Sequence, residues 1–152
     1  MVLKCKGFLF DLDGTLVDSL PNVEHCWREF SRRIGVSESD VLHYIHGKPA
    51  ISSIRHFMPN ASEIEIDEIF YWLENLEADN TSGIAALPGA IALLEQLNTF
   101  AIPWAIVTSG TVPIAFNRSK AQVCRNRNTG SRLNELNTVN RSQILFCLVH
   151  NY

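Results

Sequence analysis

The chain has 152 residues, of which 46% are hydrophobic and 19% are charged, a composition typical of a globular domain and not of a disordered one. Residues 1–116 hold 7 Lys and Arg against 15 Asp and Glu, and residues 117–152 hold 6 against 1, so a net charge of −3 conceals parts of −8 and +5. No apolar run approaches 18 residues, so we expect no membrane-spanning helix. The acidic first part argues against nucleic acid as a partner, because phosphate backbones are bound by Lys and Arg.

The beginning of the chain and its cysteines indicate a cytoplasmic protein. Residues 7–10 are apolar but are followed at once by Asp11, which leaves too short a stretch for a signal peptide. The cysteines form no CxxC or CxxH pair and are expected to be free thiols; they are Cys5, Cys26, Cys124 and Cys147.

The predicted elements alternate between strands and helices. Residues 7–10 are predicted to be a buried strand that ends at an acidic turn, residues 11–14. A helix is predicted from Ser19 to Gly35, a second from Ser37, and a short third over residues 50–58. This part of the sequence therefore places several helices after a single strand.

The pattern continues with a long helix, a linker, a further helix and a second strand. Ser62 and Glu65 match a capping box, and an apolar helical face follows them. Residues 80–83 are a predicted linker, and a helix opens after Gly89. Residues 102–107 are predicted to be a second buried strand, which is followed by the turn of residues 108–110. The order indicates an α/β core with a helical insertion.

The composition changes after Phe116. Residues 117–143 contain six Asn and five Arg, and no alternation of strand and helix is visible there. A short apolar run, residues 144–149, precedes a polar end. We expect residues 117–152 to be an atypical, non-native tail, and we attribute it to a truncation or a frame change in the coding sequence near residues 116–122.

The first strand leads directly into two carboxylates at positions i and i+2. Asp11 and Asp13 are expected on one side of the chain, with Gly14 allowing a sharp bend and Thr15 adding a hydroxyl. Adjacent carboxylates attract Mg²⁺ and can divide the roles of nucleophile and general acid. Two alternatives are an Asx-type turn without function and the metal site of a nucleotide-sugar glycosyltransferase.

Residues 8–19, FLFDLDGTLVDS, resemble the first signature of the haloacid dehalogenase-like hydrolases, most closely the bacterial sugar phosphatases and relatives of β-phosphoglucomutase. The resemblance covers about residues 5–116 and implies a Rossmann-like core with an inserted helical cap. It implies that Asp11 attacks phosphorus, that Asp13 is the general acid and base, and that the Asp11 carboxylate and the Asp13 carbonyl bind Mg²⁺. Dehalogenase members lack the second acid, so halide chemistry is disfavoured.

The second family signature is a strand that ends in Ser or Thr, and residues 105–110, AIVTSG, match it. The resemblance implies that Ser109 and the Gly110 amide hold the phosphoryl oxygens, with Thr108 as the alternative hydroxyl. Gly14 and Thr15 are included among the phosphate-binding residues.

The resemblance implies core segments at residues 1–16 and 87–116 and a cap over residues 17–86. Gly47 and Lys48 lie where relatives use a cap loop to contact substrate, although Lys48 is alternatively a solvated loop residue. Trp27 matches an aromatic position of the cap and is either core or a sugar platform. Arg55 is a further candidate for substrate contact, whereas His43 and His56 are expected to be surface or core residues.

The third and fourth family signatures, a lysine in a Gly-Lys-Pro context and an acidic strand end, are not found after Phe116. Lys120 and Glu135 are the only late lysine and acid, and neither has the expected context. The core is therefore expected to lack its C-terminal strands and to turn over slowly or not at all.

The sequence thus predicts an impaired, monomeric Mg²⁺-dependent phosphatase of small sugar phosphates. Phosphoryl transfer of the β-phosphoglucomutase kind and a non-catalytic fragment or pseudogene product remain as alternatives.

Overall fold

A computed structural model describes residues 5–123 and the backbone of residues 137–138 and 144–146. The helices are α1 (Leu20–Ile34), α2 (Glu38–Ile45), α3 (Ala50–Phe57), α4 (Glu63–Asp79), α5 (Ala90–Thr99) and α6 (Val112–Gln122). The strands are β1 (Phe8–Phe10), β2 (Val17–Asp18), β3 (Ala85–Ala86), β4 (Trp104–Thr108), β5 (Asn137–Thr138) and β6 (Ile144–Phe146). The chain divides into a core unit, which comprises the residues up to Ser19 and from Ile84 onward, and a helical unit, Leu20–Gly83.

The core unit is built on a sheet with the strand order β1-β4-β6-β5. The pairing of β1 with β4 is parallel, in a register that sets Phe10 opposite Ile106. β6 runs antiparallel to β4, and β5 runs antiparallel to β6. Because β1 and β4 are parallel neighbours, the turns that follow them meet at the same edge of the sheet.

A second, two-stranded sheet determines where the core unit ends. Val17 pairs with Ala86 and Asp18 with Ala85 in an antiparallel ribbon. The helical unit consequently begins and ends three residues inside the insertion predicted at residues 17–86. Two-residue strands carry little sequence signal, which is why the insertion was expected to start earlier.

The core of the first unit forms where α5 and α6 pack on the sheet and on the turn after β1. Leu12, Leu16 and Ile106 are completely or almost completely buried. The rest of this cluster is apolar and comes from all parts of the unit; its members are Val17, Ile84, Ala90, Leu94, Leu97, Trp104 and Ala115. Burying a side chain of the Leu or Ile type contributes about 1.5–3 kcal/mol, so this cluster anchors the loops at the sheet edge.

The helical unit has an apolar core of its own. Cys26, Trp27 and Phe30 are buried on one face of α1, as their helical spacing predicts. They join buried residues of the other three helices, which are Val41, Ile45, Ile54, Ile66, Ile69 and Leu73. This unit therefore closes around its own interior.

Local signals in the sequence account for the ends of these helices. Gly35 has a φ of 73° directly after α1, the left-handed conformation in which glycine commonly follows a helix. The hydroxyl of Ser37 caps α2, and Ser62 and Glu65 form the predicted capping box of α4. The predicted positions of α1 to α5, β1 and β4 are confirmed to within a few residues. The prediction that the first strand is buried is wrong, since Phe8 and Leu9 of β1 are exposed.

The last described helix was not predicted. α6 crosses the boundary expected at residue 116 and continues to Gln122. Thr111 precedes it, and Pro113 lies in its first turn, where a missing N–H costs nothing. Some predictions for residues 117–152 lie outside the described residues. They are those for Cys124, for Glu135 and for the side chains of residues 144–149.

Two predictions, one on the cysteines and one on membrane-spanning helices, can be compared with the structure. Cys5 and Cys26 are free thiols, the first exposed and the second buried. No helix in the described part of the chain is long and apolar enough to span a membrane.

Candidate active site

The turn after β1 places two carboxylates on either side of a buried leucine. The carbonyl of Leu12 accepts hydrogen bonds from the amides of Leu16 at 2.9 Å and Val17 at 3.0 Å, which closes the turn. The Leu12 side chain is fully buried beneath it. Asp11 and Asp13 are therefore presented at the carboxyl edge of the sheet, where open α/β sheets bind their ligands.

Backbone geometry explains the glycine in this turn. Gly14 has a φ of 75°, in the left-handed region that favours glycine. Its amide donates to the carbonyl of Val17 at 2.8 Å, which ties the turn to β2. Gly14 and Thr15 are both exposed and follow the two carboxylates in the same turn.

The two carboxylates have different surroundings. Asp11 is exposed, and its Oδ1 accepts a hydrogen bond from the amide of Leu12 at 2.8 Å. Asp13 is half-buried, and its Oδ1 lies 2.9 Å from Nη1 of Arg118. The first carboxylate is thus open to a ligand, while the second is held by an ion pair within the core unit.

The turn after β4 carries the second group of predicted residues. Thr108 is buried, and its Oγ1 accepts a hydrogen bond from the amide of Gly110 at 3.1 Å. Ser109 is exposed between them. Of the two hydroxyls predicted to hold phosphate, Thr108 is therefore engaged in closing the turn, and Ser109 is the one that solvent reaches.

The structure brings these two turns together. A methyl group added to Gly110 would lie 3.9 Å from Oδ2 of Asp13 and 3.4 Å from Oγ1 of Thr108. The second carboxylate and the second turn are thus in contact range of one another across the β1–β4 pair. Glycine at position 110 leaves space at this point for an oxygen of a ligand.

Gly47 and Lys48 lie in the helical unit, in the turn between α2 and α3. Gly47 has a φ of 72°, and the amide of Lys48 donates to the carbonyl of Ile45 at 3.1 Å. The ammonium of Lys48 lies 3.2 Å from the centre of the Tyr44 ring, a cation–π contact. The Tyr44 ring also stacks on the ring of His56, with the ring centres 3.9 Å apart.

The other cap candidates have structural partners. Trp27 is buried and meets Phe30 edge to face with ring centres 5.0 Å apart, which places it in the core of the helical unit. Arg55 forms a hydrogen bond to Glu63 at 2.6 Å, and this bond together with the charge of Glu63 raises the pKa of Arg55. Arg55 is thus engaged at the surface of its own unit.

Arg118 is the site residue that sequence reasoning missed. It is 4% exposed, and the residue it pairs with lies 105 positions earlier in the chain. Arginine is almost never fully buried without a partner, so a pattern of residues alone assigns it to the surface. The available signal was the helix itself, because Ile114 and Ala115 lie four and three residues before Arg118 and share its buried side.

Comparison with known proteins follows the same elements. The sequence model of the haloacid dehalogenase-like hydrolase family matches residues 5–125. Hexitol phosphatase A of Escherichia coli is 60% identical over 118 residues, which are 78% of this chain and 55% of that protein. 2-Deoxyglucose-6-phosphate phosphatase 2 of Saccharomyces cerevisiae is 32% identical over 118 residues, 72% of this chain and 48% of that one. The chain belongs to the haloacid dehalogenase-like hydrolase family.

The fold agrees with this membership. A haloacid dehalogenase hydrolase of family IA, variant 3, from Entamoeba histolytica superposes with a TM-score of 0.67 at 27% identity, covering 80% of this chain and 56% of that one. The family match also extends past Phe116, where the resemblance was expected to stop, and includes all of α6. The chain spans about half the length of the curated relatives it matches.

The residues present fit the Mg²⁺ that this hydrolase family implies, although they are few. Mg²⁺ takes oxygen ligands and is commonly held by one or two carboxylates together with waters and substrate phosphate. Asp11 offers an exposed carboxylate, and the backbone carbonyl of Asp13 is the second oxygen in the same turn. Within the described residues, no group of three or more His, Cys, Asp or Glu gathers at one place.

Proposed function

We propose that this chain hydrolyses phosphate monoesters of small sugars or sugar alcohols through an aspartyl-phosphate intermediate. The observation that supports this most strongly is the approach of Asp13 Oδ2 to Gly110, which sets the second carboxylate beside a hydroxyl-bearing turn. The likeness to a hexitol phosphatase and to a deoxyglucose-phosphate phosphatase supports the substrate class.

In the first step a carboxylate oxygen of Asp11 attacks phosphorus, and the bond from phosphorus to the sugar oxygen breaks. Asp13, which carries a proton on Oδ2 in this step while Oδ1 accepts the hydrogen bond from Arg118, gives that proton to the leaving oxygen, which departs as an alcohol. Asp11 suits the role of nucleophile because it is the exposed carboxylate of the pair.

In the second step a water molecule gives a proton to Asp13 and attacks the phosphorus of the aspartyl phosphate. The bond from phosphorus to the Asp11 oxygen breaks, which releases inorganic phosphate, restores the Asp11 carboxylate and leaves Asp13 protonated again. One general acid and base suffices for both steps, since the proton lost in the first is regained in the second.

The remaining residues bind the phosphoryl group. The Ser109 hydroxyl is the exposed donor of the second turn, while the Gly110 amide reaches phosphate only after it leaves Thr108. Mg²⁺, held by Asp11 and the Asp13 carbonyl, would neutralise negative charge on the phosphoryl oxygens. Gly14 and Thr15 complete the edge of the site, and contact of Gly47 and Lys48 with the sugar stays a prediction from the family resemblance.

We further propose that turnover is slow, because the described residues supply no lysine to the phosphoryl group. Preorganised charge is often the largest source of rate enhancement, and losing one donor costs roughly 10²–10³ in rate. The assay therefore needs high protein concentration and long incubation.

Phosphate release from a panel of hexitol and sugar phosphates with Mg²⁺ tests the proposal. We expect release with the unmodified chain, its abolition in Asp11→Asn, and no change in Glu68→Gln, a matched loss of an exposed carboxylate on α4. Release that survives Asp11→Asn, or a folded chain that releases no more phosphate than that variant, would contradict it. A second sugar phosphate in place of inorganic phosphate would indicate phosphoryl transfer instead.

A further inference from the structure

The ion pair between Arg118 and Asp13 joins a buried cation to a carboxylate at the mouth of the site. Nη1 of Arg118 lies 2.9 Å from Oδ1 of Asp13, and the arginine side chain is 5% exposed against 30% for the aspartate. A buried, charge-assisted hydrogen bond restrains both groups more than a surface pair does. The arginine therefore has the geometry to fix where this carboxylate points.

Arg118 is itself held by the packing of α6. Ile114, Ala115 and Ser119 on the same helix are buried, and Ala115 belongs to the apolar cluster of the core unit. The helix thus brings a rigid cation to the sheet edge from a part of the chain remote in sequence. A group placed on a packed helix keeps a narrower geometry than one on a loop.

The bond engages only one oxygen of Asp13. Oδ1 faces Arg118, whereas Oδ2 faces Gly110, where an added methyl group would lie 3.9 Å away. The free side of the carboxylate is therefore the side toward the turn that bears Ser109. A proton carried on Oδ2 would be delivered into this space and not into the protein interior.

We infer that Arg118 is a positioning residue, which holds the Asp13 carboxylate so that Oδ2 exchanges the proton with the sugar oxygen of the substrate. The inference rests on the proposed function for its chemistry and on the ion pair for its geometry. Arg118 touches Asp13 and acts through it. Its removal should therefore affect the steps that need proton transfer and spare those that do not.

Leaving groups of different basicity separate these steps. A hexitol phosphate releases an alkoxide that must be protonated, whereas p-nitrophenyl phosphate releases a stable phenolate. In single-turnover assays, we expect Arg118→Met to slow cleavage of the hexitol phosphate roughly 10²-fold, the scale of a misplaced catalytic group. Its first-turnover release of p-nitrophenol should stay within about threefold, since that step needs no general acid.

Two further variants make the result specific. Arg118→Lys keeps the charge but loses the planar fork, so it should recover part of the lost rate. Arg118→Met in an Asp13→Asn background should add less than about threefold to the loss, since both changes remove one function. Equal losses with both substrates, or a full additional loss in the double variant, would show a general structural role and overturn the inference.

A measurement without turnover separates this inference from the proposed function. Three-bond couplings between Hα and Hβ of Asp13, measured by NMR on the isotope-labelled chain, report its χ1 rotamer. We expect one rotamer in the unmodified chain and averaged couplings in Arg118→Met. Unchanged couplings in a folded Arg118→Met chain would overturn the positioning role, whereas absent phosphate release with these expected couplings would contradict only the proposed function.

Discussion

The amide of Gly110 donates a hydrogen bond to Oγ1 of Thr108, 3.1 Å away, and this bond closes the turn after β4. The Thr108 hydroxyl is consequently buried and engaged, whereas Ser109 between them is exposed. The two adjacent hydroxyls therefore have different expected roles, one in holding the turn and one in holding phosphate.

We expect Ser109→Ala and Thr108→Val to separate these roles. Ser109→Ala should lower kcat/KM for phosphate release by about 10²–10³, the usual loss when a donor to developing charge is removed. Thr108→Val should instead lower stability by about 0.5–1.5 kcal/mol through the lost turn bond, with a smaller effect on rate. Steady-state kinetics and urea unfolding of both variants check this, and a larger rate loss in Thr108→Val would contradict the assignment.

The buried leucine between the two carboxylates should carry most of the stability of its turn. Leu12 is 0% exposed, so Leu12→Ala should destabilise the core unit by about 2–5 kcal/mol. Leu9 is 73% exposed on β1 and provides a matched control, for which we expect a change within about 0.5 kcal/mol. Urea unfolding followed by circular dichroism measures both, and similar values for the two variants would show that the turn is not anchored through Leu12.

Gly14 tests backbone strain without a steric contribution. Among the described residues, and apart from Gly14 and its two chain neighbours, no atom lies within 4 Å of a methyl group placed on Gly14, so the cost of Gly14→Ala comes from its φ of 75°. We expect a loss of about 1–2 kcal/mol, and a smaller loss for Gly14→Asn because asparagine tolerates this conformation better. Thermal unfolding of the two variants gives the comparison, and an Asn variant less stable than the Ala variant would be evidence against strain as the cause.

The capping box of α4 should make the helical unit sensitive to acid. Hydrogen bonds from the backbone and hydroxyl of Ser62 lower the pKa of Glu65 below the usual value of a glutamate. A lowered folded pKa adds stability above the unfolded pKa, and this stability is lost as the pH falls through the folded value. The helical unit should therefore lose stability below about pH 4.5, and Glu65→Gln should remove that part of the dependence.

Amide exchange of α4 across this pH range measures the effect, because it reports on this helix, and the other carboxylates of α4 are the same in the unmodified chain and in Glu65→Gln. Glu68→Gln, an exposed acid of the same helix outside the box, is the control. Identical pH profiles for the unmodified chain and Glu65→Gln would contradict the prediction.

Much of this architecture was predictable because it follows from local chemistry. The boundaries of α1 and α4 come from Gly35 and from the Ser62–Glu65 capping box, which act within a few residues of themselves. The turn after β1 was equally legible, since an apolar strand, two carboxylates and a glycine follow one another directly. Sequence patterns did not predict the two-residue strands β2 and β3 or the helix α6. None of these three elements has an apolar pattern long enough to identify it.

By itself, the sequence determined the order strand, helices, strand, and with it the two turns that carry Asp11, Asp13 and residues 108–110. Only the tertiary structure decided that Thr108 is buried while Ser109 remains exposed, and that Arg118 is buried against Asp13. The physical reason is distance along the chain: a hydrogen bond over two or three residues follows from local geometry. An ion pair between residues 105 positions apart depends on how a helix packs against a sheet, and no pattern of neighbouring residues records that.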